Sequence, residues 1–361
     1  MVLKVIQVAT GQVGRYALRS IIEHPDLELV GLLVHSPGKA GRDAGELCGL
    51  PDVGVRATTD LDQVLALEAD CVAHYEWWDG GNRLPDIVNQ VEKFLRSGKN
   101  VVSASLLPFV CPRTTTVDPQ FGQRLQAACR AGGVSLLNTG INPGWAADIL
   151  PLVVTGLGQR IDHVRLTEIM DFSTYDHPEE LLGGFGFGEP VEMIPPFYTR
   201  GSRTMAWREA TLESLAESLG VTLDDVQVEV QRAPAVAAIE YPFGKIEAGA
   251  AAAAFLKIHG IVGGKVVLSV EQVTRMHPHV APDWPQPLGV GGYRVLVEGD
   301  PRLELYLTMN DAAKPADPQA GPLFCTATPT VNSIPAICAA VPGVYSGPEL
   351  GLLTGKGLIR I

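Results

Sequence analysis

The 361-residue sequence is short of charge, and shorter of positive charge than of negative. Charged residues make up 19%, with 28 Lys plus Arg against 40 Asp plus Glu and a formal net charge of −12. That balance leaves no general basic face for a phosphate backbone and argues against nucleic acid as a partner. A local cluster of Lys and Arg can still take a small anion. Long apolar runs are also missing. The richest stretch, residues 248–262, is interrupted by Lys257 and His259 and is too short to span a bilayer, so no membrane partner is expected. The six cysteines (Cys48, Cys71, Cys111, Cys129, Cys325, Cys338) contain no pair at metal-ligand spacing and read as small buried hydrophobes. The histidines show no ligand spacing either, so no metal is expected. With no leader segment at the start, this cysteine usage implies a reducing, cytoplasmic setting. Neither a Gly-x-Ser-x-Gly elbow nor a P-loop is present, which counts against a hydrolase and against a nucleoside-triphosphate enzyme.

What is present is 46% hydrophobic residues and length enough for two domains with sizeable cores. Up to about residue 140, strand-like and helix-like segments alternate. Apolar runs at 2–9, 27–35, 70–75, 101–103 and 134–138 read as strands. Helical stripes fall at 13–24, at 84–95 and near 121–131, and Asp60 is placed to cap a short helix carrying Val64 and Leu67. Strands alternating with helices predict a parallel sheet covered on both faces. After about residue 148 the pattern changes. A helix at 149–156 leads into an alternating segment at 164–172, and a Gly- and Pro-rich passage at 183–196 reads as a long loop. Leu212, Leu215, Ala216 and Leu219 mark one amphipathic helix. Segments 252–262 and 266–276 flank Gly263-Gly264, and 293–297 and 303–309 flank Gly299-Asp300, which are hairpin signals. Near the C-terminus, Thr328-Pro329 reads as an N-cap and first-turn proline, followed by a stripe of Ile334, Ile337, Cys338 and Val341 with a kink at Pro335. The expected architecture is an α/β Rossmann domain from 1–147 and 325–361, with an inserted α+β domain at 148–324 built on an open, mostly antiparallel sheet.

The first strand runs into Ala9-Thr10-Gly11-Gln12-Val13-Gly14-Arg15. This is the dinucleotide fingerprint with Ala9 at the first glycine position. Gly11 lets the backbone approach a pyrophosphate, Gly14 lets the helix pack on the strand, and the helix N-terminus presents free N–H groups to the phosphates. About twenty residues past Gly14, where NAD sites place an acid for the ribose 2′-hydroxyl, the sequence has His35, Ser36, Lys39 and Arg42. Donors and positive charge suit a 2′-phosphate, so NADP is the expected cofactor; NAD is the alternative if Lys39 and Arg42 are solvated loop charges.

Several segments together resemble the dihydrodipicolinate-reductase-like oxidoreductases, in the branch of 2,4-diaminopentanoate dehydrogenases and native amine dehydrogenases. They are Gln7 to Gly14, His35 to Gly45, Thr139-Gly140-Ile141-Asn142-Pro143-Gly144-Trp145, Asp171-Phe172-Ser173-Thr174-Tyr175, Gly184-Phe185-Gly186-Phe187-Gly188 and Asn332-Ser333-Ile334-Pro335. The resemblance implies NAD(P)-dependent interconversion of an amine and a ketone through an imine, by a homodimer built on the inserted sheet. It implies that Asn142, Pro143 and Asn332 lie by the cofactor and that Trp145, Phe172 and Tyr175 line an apolar pocket for a small-molecule substrate. One departure stands out. Amine-active members carry a glutamate in the loop after the strand at 101–103, and here that loop reads Ser103-Ala104-Ser105-Leu106-Leu107-Pro108-Phe109. Glu76 and Glu168 are the candidate replacements, and Tyr175 and His177 could supply the proton that hydride transfer requires. His74, on an apolar strand, reads as a core residue. Two further readings follow from the same residues: a carbonyl reductase without amine activity, and a non-catalytic dinucleotide-binding protein.

Overall fold

A computed structural model describes residues 2–315 and 317–359. The chain divides into two compact units, Met1–Trp145 with Leu323–Ile361, and Ala146–Pro322. In the first unit, β1 (Leu3–Val8), β2 (Leu27–Leu33), β3 (Ala57–Thr58), β4 (Cys71–His74), β5 (Asn100–Ser103) and β6 (Ser135–Asn138) join the C-terminal strand Gly343–Tyr345 in one sheet. Its order is Gly343–Tyr345, β6, β5, β4, β1, β2, β3, and every pairing is parallel. The order reverses at β1, between β4 and β2, the point at which a doubly wound sheet opens a ligand crevice. Helices α1 (Gln12–Glu23), α2 (Ala44–Cys48), α3 (Leu61–Leu65), α4 (Leu84–Arg96) and α5 (Pro119–Gly132) fill the connections.

Two cores form on this unit. Ala17, Leu18 and Ile21 of α1 pack with Val331, Ile334 and Ile337 of the C-terminal helix. Ile87, Val88, Val91, Phe94 and Leu95 of α4 pack with Leu125, Ala128 and Cys129 of α5. Val5, Ile6 and Val8 of β1 are wholly buried between them, and each such side chain contributes about 1.5–3 kcal/mol. The C-terminal helix corrects one expectation. It runs Ala320–Ala339, so Pro329 lies inside it instead of opening it, as does Pro335. An interior proline costs about 3 kcal/mol; here the buried stripe at 331, 334 and 337 offsets it, and the Thr330 and Ser333 hydroxyls donate to the carbonyls of Ala327 and Thr330 at 2.6 and 2.7 Å.

The second unit carries α6 (Leu150–Thr155), β7 (Arg160–Asp171), α7 (Ala206–Ser218), β8 (Asp225–Pro234), the small hairpin β9 (Ile239–Tyr241) and β10 (Gly244–Ile246), then β11 (Ala251–Val262), β12 (Lys265–Arg275), β13 (Gly291–Asp300) and β14 (Leu303–Thr308). Six strands form a sheet in the order β14, β13, β7, β12, β11, β8. It is antiparallel except for the parallel β7–β12 pair. Gly263 and Gly264 have φ of 57° and 75°, the primed turn that matches strand twist. The Asp225–Pro234 strand, passed over in the sequence reading, alternates exposed and half-buried residues along the sheet edge. The segment before α6 is not a simple helix start: Asn142, Pro143 and Gly144 have non-helical φ/ψ, and the Asn142–Pro143 bond is cis.

Candidate functional site

The turn between β1 and α1 is built by three devices. Gly14 is buried against Ala9, and a Cβ there would meet the Ala9 carbonyl oxygen at 2.6 Å. Gly11 caps α1 with no side-chain bond to the first-turn amides, no acid lies in that turn, and a Cβ at Gly11 would meet nothing within 4 Å. Gln7, wholly buried in β1, donates from Nε2 to the carbonyls of Ala9 at 2.9 Å and Gly14 at 2.7 Å. Gln7 was not singled out in the sequence; a lone amide in an apolar strand was the available signal. The open backbone at Gly11, the uncapped amides and the positive end of the helix dipole fit a dinucleotide pyrophosphate. Gln12 and Val13, both half-buried, form the first turn of α1.

Lys39 reaches back into the same turn, donating from Nζ to the Thr10 carbonyl at 2.9 Å and to Thr10 Oγ1 at 3.1 Å. Burial, then the like charges of Arg15 and Arg42, hold its ammonium below the usual value. Arg15 thus joins the site without having been expected there. His35 and Ser36 are exposed past the end of β2, and Arg42 pairs with Glu46 at 2.8 Å. Asn142 and Pro143 follow β6, and Asn332 sits half-buried on the C-terminal helix. Trp145 ends the first stretch of this unit, whereas Phe172, Tyr175 and His177 belong to the second.

Glu76 lies past the carboxyl end of β4 with its side chain 2% exposed. His35 Nε2 stands 2.7 Å from one oxygen and Arg83 donates to the other at 2.8 Å, with His74 Nε2 3.8 Å away. Burial alone would raise this carboxyl; the hydrogen bond from His35 and the charges of His74, His35 and Arg83 overcome it and push it down to about 2. A carboxylate held so low is a weak base and stays ionised well into acid. Through these contacts Glu76 ties His35, past β2, to Arg83, before α4. His74 is buried among Gln90 and Ser103, as a core histidine. The loop after β5 holds no acid because it is core: Leu106 and Phe109 are buried in the α4–α5 cluster, and the Leu106 amide donates to Asn138 Oδ1 at 2.9 Å.

In the second unit, Phe172 and Tyr175 stack edge-on at 4.8 Å between ring centroids, and Phe172 meets Phe185 at 5.6 Å. The Tyr175 hydroxyl donates to Glu180 Oε2 at 3.1 Å. The His177 ring lies 5.1 Å from that of Tyr175, and its carbonyl accepts the amides of Glu180 and Leu181. Glu168 is held on both oxygens, by Gln272 Nε2 at 2.8 Å and the Tyr293 hydroxyl at 2.6 Å. Gln272 in turn accepts from Arg208 Nε at 2.9 Å, so Glu168 is part of a closed structural network.

A doubly wound sheet with an open glycine turn at its switch point, together with a mostly antiparallel sheet unit, is an architecture found among nicotinamide-dinucleotide oxidoreductases. Residues 5–76 match the family described as dihydrodipicolinate reductase, N-terminus, and residues 145–355 match the 2,4-diaminopentanoate dehydrogenase C-terminal domain. An amine dehydrogenase from Streptomyces virginiae is 36% identical over 352 residues, covering 96% of each chain. A 2,4-diaminopentanoate dehydrogenase from Acetoanaerobium sticklandii is 25% identical over 64% of this chain and 62% of its own. The solved amine dehydrogenase from Mycobacterium smegmatis superposes with a TM-score of 0.78 at 22% identity, over 98% of both chains. The chain belongs to the family of NAD(P)-dependent oxidoreductases that carry the 2,4-diaminopentanoate dehydrogenase C-terminal domain.

Proposed function

We propose that this protein is an NADP-dependent amine dehydrogenase, interconverting a small ketone plus ammonia with the corresponding amine through an imine. The observation that carries the reading is the Streptomyces virginiae amine dehydrogenase, similar along 96% of both chains. Lys39 supports the choice of NADP: it is bonded into the fingerprint turn, and burial, then the like charges of Arg15 and Arg42, hold its ammonium below the usual value. A 2′-phosphate near Lys39, Arg42, Ser36 and His35 would relieve that repulsion. Thr10, Gly11, Gln12, Val13 and Gly14 would hold the pyrophosphate, and Asn142, Pro143 and Asn332 the nicotinamide end. When bound, the nicotinamide supplies or accepts the hydride. Trp145, Phe172 and Tyr175 would receive the apolar part of the substrate, with Tyr175 or His177 passing the proton. The domain roles follow: residues 1–147 with 325–361 for the dinucleotide, and 148–324 for substrate and for pairing into a homodimer in the cytoplasm. Among the described residues no helix is long and apolar enough to cross a membrane.

The acid-free loop at 103–109 favours a second reading, carbonyl reduction without amine activity. The two separate in one assay, following NADPH and NADH oxidation on a panel of short ketones with and without ammonium. Ammonium-dependent consumption of NADPH is expected; consumption indifferent to ammonium would establish the carbonyl reductase, and binding without turnover a non-catalytic protein. Lys39→Ala should lower kcat/KM with NADPH by about tenfold or more and with NADH by clearly less, since NADH shares only the turn that Lys39 braces. An equal loss with both coenzymes would remove the case for NADP.

A further inference from the structure

We propose that Glu180 is the carboxylate that binds the substrate ammonium and takes its proton, in place of Tyr175 or His177, with Tyr175 as the group that positions it; this rests on the amine reading above. The second unit places three acids or phenols of interest close together, and their surroundings separate them. Glu168 has both oxygens occupied by Gln272 and Tyr293. Glu180 is half-buried and has one hydrogen-bond donor among the described residues, the Tyr175 hydroxyl on Oε2. Its Oε1 is thus the carboxylate oxygen in this cluster with capacity for a further donor. Tyr175, which bonds it, is half-buried and packs edge-on against the half-buried ring of Phe172.

A carboxylate with one open oxygen next to apolar rings matches an ammonium carrying a hydrocarbon group. The titratable groups around Glu180 are Tyr175 beyond β7, Glu168 on β7, Arg208 on α7 and Tyr198 before α7. Burial raises the Glu180 carboxyl above its ordinary value, against the lowering effects of the Tyr175 bond and the Arg208 charge, with Glu168 adding to the rise. Arg208 is itself tied down: it lies 4.3 Å from the Phe197 ring centre and 4.2 Å from that of Trp207, and it donates to Gln272 and to the Thr204 carbonyl. It offers Glu180 a background charge without neutralising it by a direct bond. A carboxylate raised above its ordinary value is a stronger base, able to hold a cation and to accept its proton.

In the amine-oxidising direction the step balances as follows. The ammonium nitrogen loses one proton to Glu180 Oε1. The nitrogen lone pair then forms the C=N bond as the C–H pair of the α-carbon leaves as hydride to the nicotinamide, giving an iminium and the reduced coenzyme. Water converts the iminium to ketone and ammonium. The ligand class is a primary alkyl amine with a small hydrocarbon group, its nitrogen on Glu180 and its carbon chain against Phe172.

The test uses the full chain, with sec-butylamine as probe. Glu180→Gln should lower kcat/KM for the amine by about a hundredfold, abolish the acid limb of its pH profile, and leave NADPH binding unchanged. Tyr175→Phe keeps the ring but removes a bond that lowers the Glu180 carboxyl, so that limb should move to higher pH. Calorimetry of sec-butylammonium with the coenzyme-free protein supplies a readout independent of turnover: binding should weaken in Glu180→Gln. An unchanged rate, limb and amine affinity in Glu180→Gln would overturn the inference while the function stands. Wild-type protein inert toward every amine would overturn the function, and the calorimetric comparison would still decide for or against Glu180. If Glu180→Gln does not fold, an unmoved limb in Tyr175→Phe overturns the inference.

Discussion

Gln7 has no contact with solvent, and its two donated bonds end on the carbonyls of Ala9 and Gly14. Replacing it by leucine keeps the volume and leaves both carbonyls without that donor, which should destabilise the protein by about 1–3 kcal/mol. Because the carbonyls belong to the turn proposed to hold the pyrophosphate, the coenzyme KM should rise as well. A thermal melt with and without NADPH checks both, and a loss of stability with unchanged coenzyme binding would separate Gln7 from the site. Residue by residue, the sequence was most readable where backbone geometry restricts identity. Gly14 was legible because the turn has no room for a Cβ there. Glu180 was not, since nothing in Glu179-Glu180 says which of the two faces Tyr175. The pairing of Glu76 was not legible either, because its ion partners, His35 and Arg83, come from the ends of other elements.

Among elements, α1 begins without a side-chain cap and with no acid in its first turn. An isolated helix would be more stable with both. Gly11→Asp has room for its side chain and should keep stability or raise it by roughly 0.5 kcal/mol, while placing a negative charge where the pyrophosphate belongs. We expect a folded protein that no longer binds coenzyme, measured by fluorescence titration beside a thermal melt; retained binding would move the phosphate site elsewhere. Long periodic elements such as α4 were visible in the sequence because one face buries six apolar residues. The strands at Ala57–Thr58 and Gly343–Tyr345 were not, because two or three residues carry no period and their pairing is decided by neighbours. The C-terminal helix was started too late because tertiary packing keeps Pro329 within it.

For the molecule as a whole, two buried carboxyls give stability opposite slopes with pH. Glu76 in the first unit is held down to about 2, so its contribution is full above the ordinary carboxyl range and is lost as pH falls toward 2. Asp148 in the second unit is 1% exposed and burial raises it to about 7, against the amides of Ile149 and its own residue. Its contribution is full below the ordinary range and is lost as pH rises through about 7. Melting curves across pH should show Asp148→Asn more stable than wild type near pH 8 and equal to it near pH 4. Glu76→Gln should be less stable near neutrality and converge on wild type in acid. Flat difference curves would mean that neither group titrates as its surroundings dictate. At this scale the two-unit plan and the parallel sheet were legible from alternation. The meeting of Tyr175, Glu180 and Arg208 was not, because it depends on how three separate stretches fold together.

Ala9 stands at the first glycine position of the turn with φ of 68°, a left-handed conformation that costs an L-residue about 1–2 kcal/mol. The Gln7 amide that grips its carbonyl helps hold it there. The two positions are therefore coupled: Ala9→Gly should rescue part of what Gln7→Leu loses, more than it adds to the wild type. A chain drifting in sequence could exchange one solution for the other, a side-chain clasp for a supple backbone, and keep the same turn throughout.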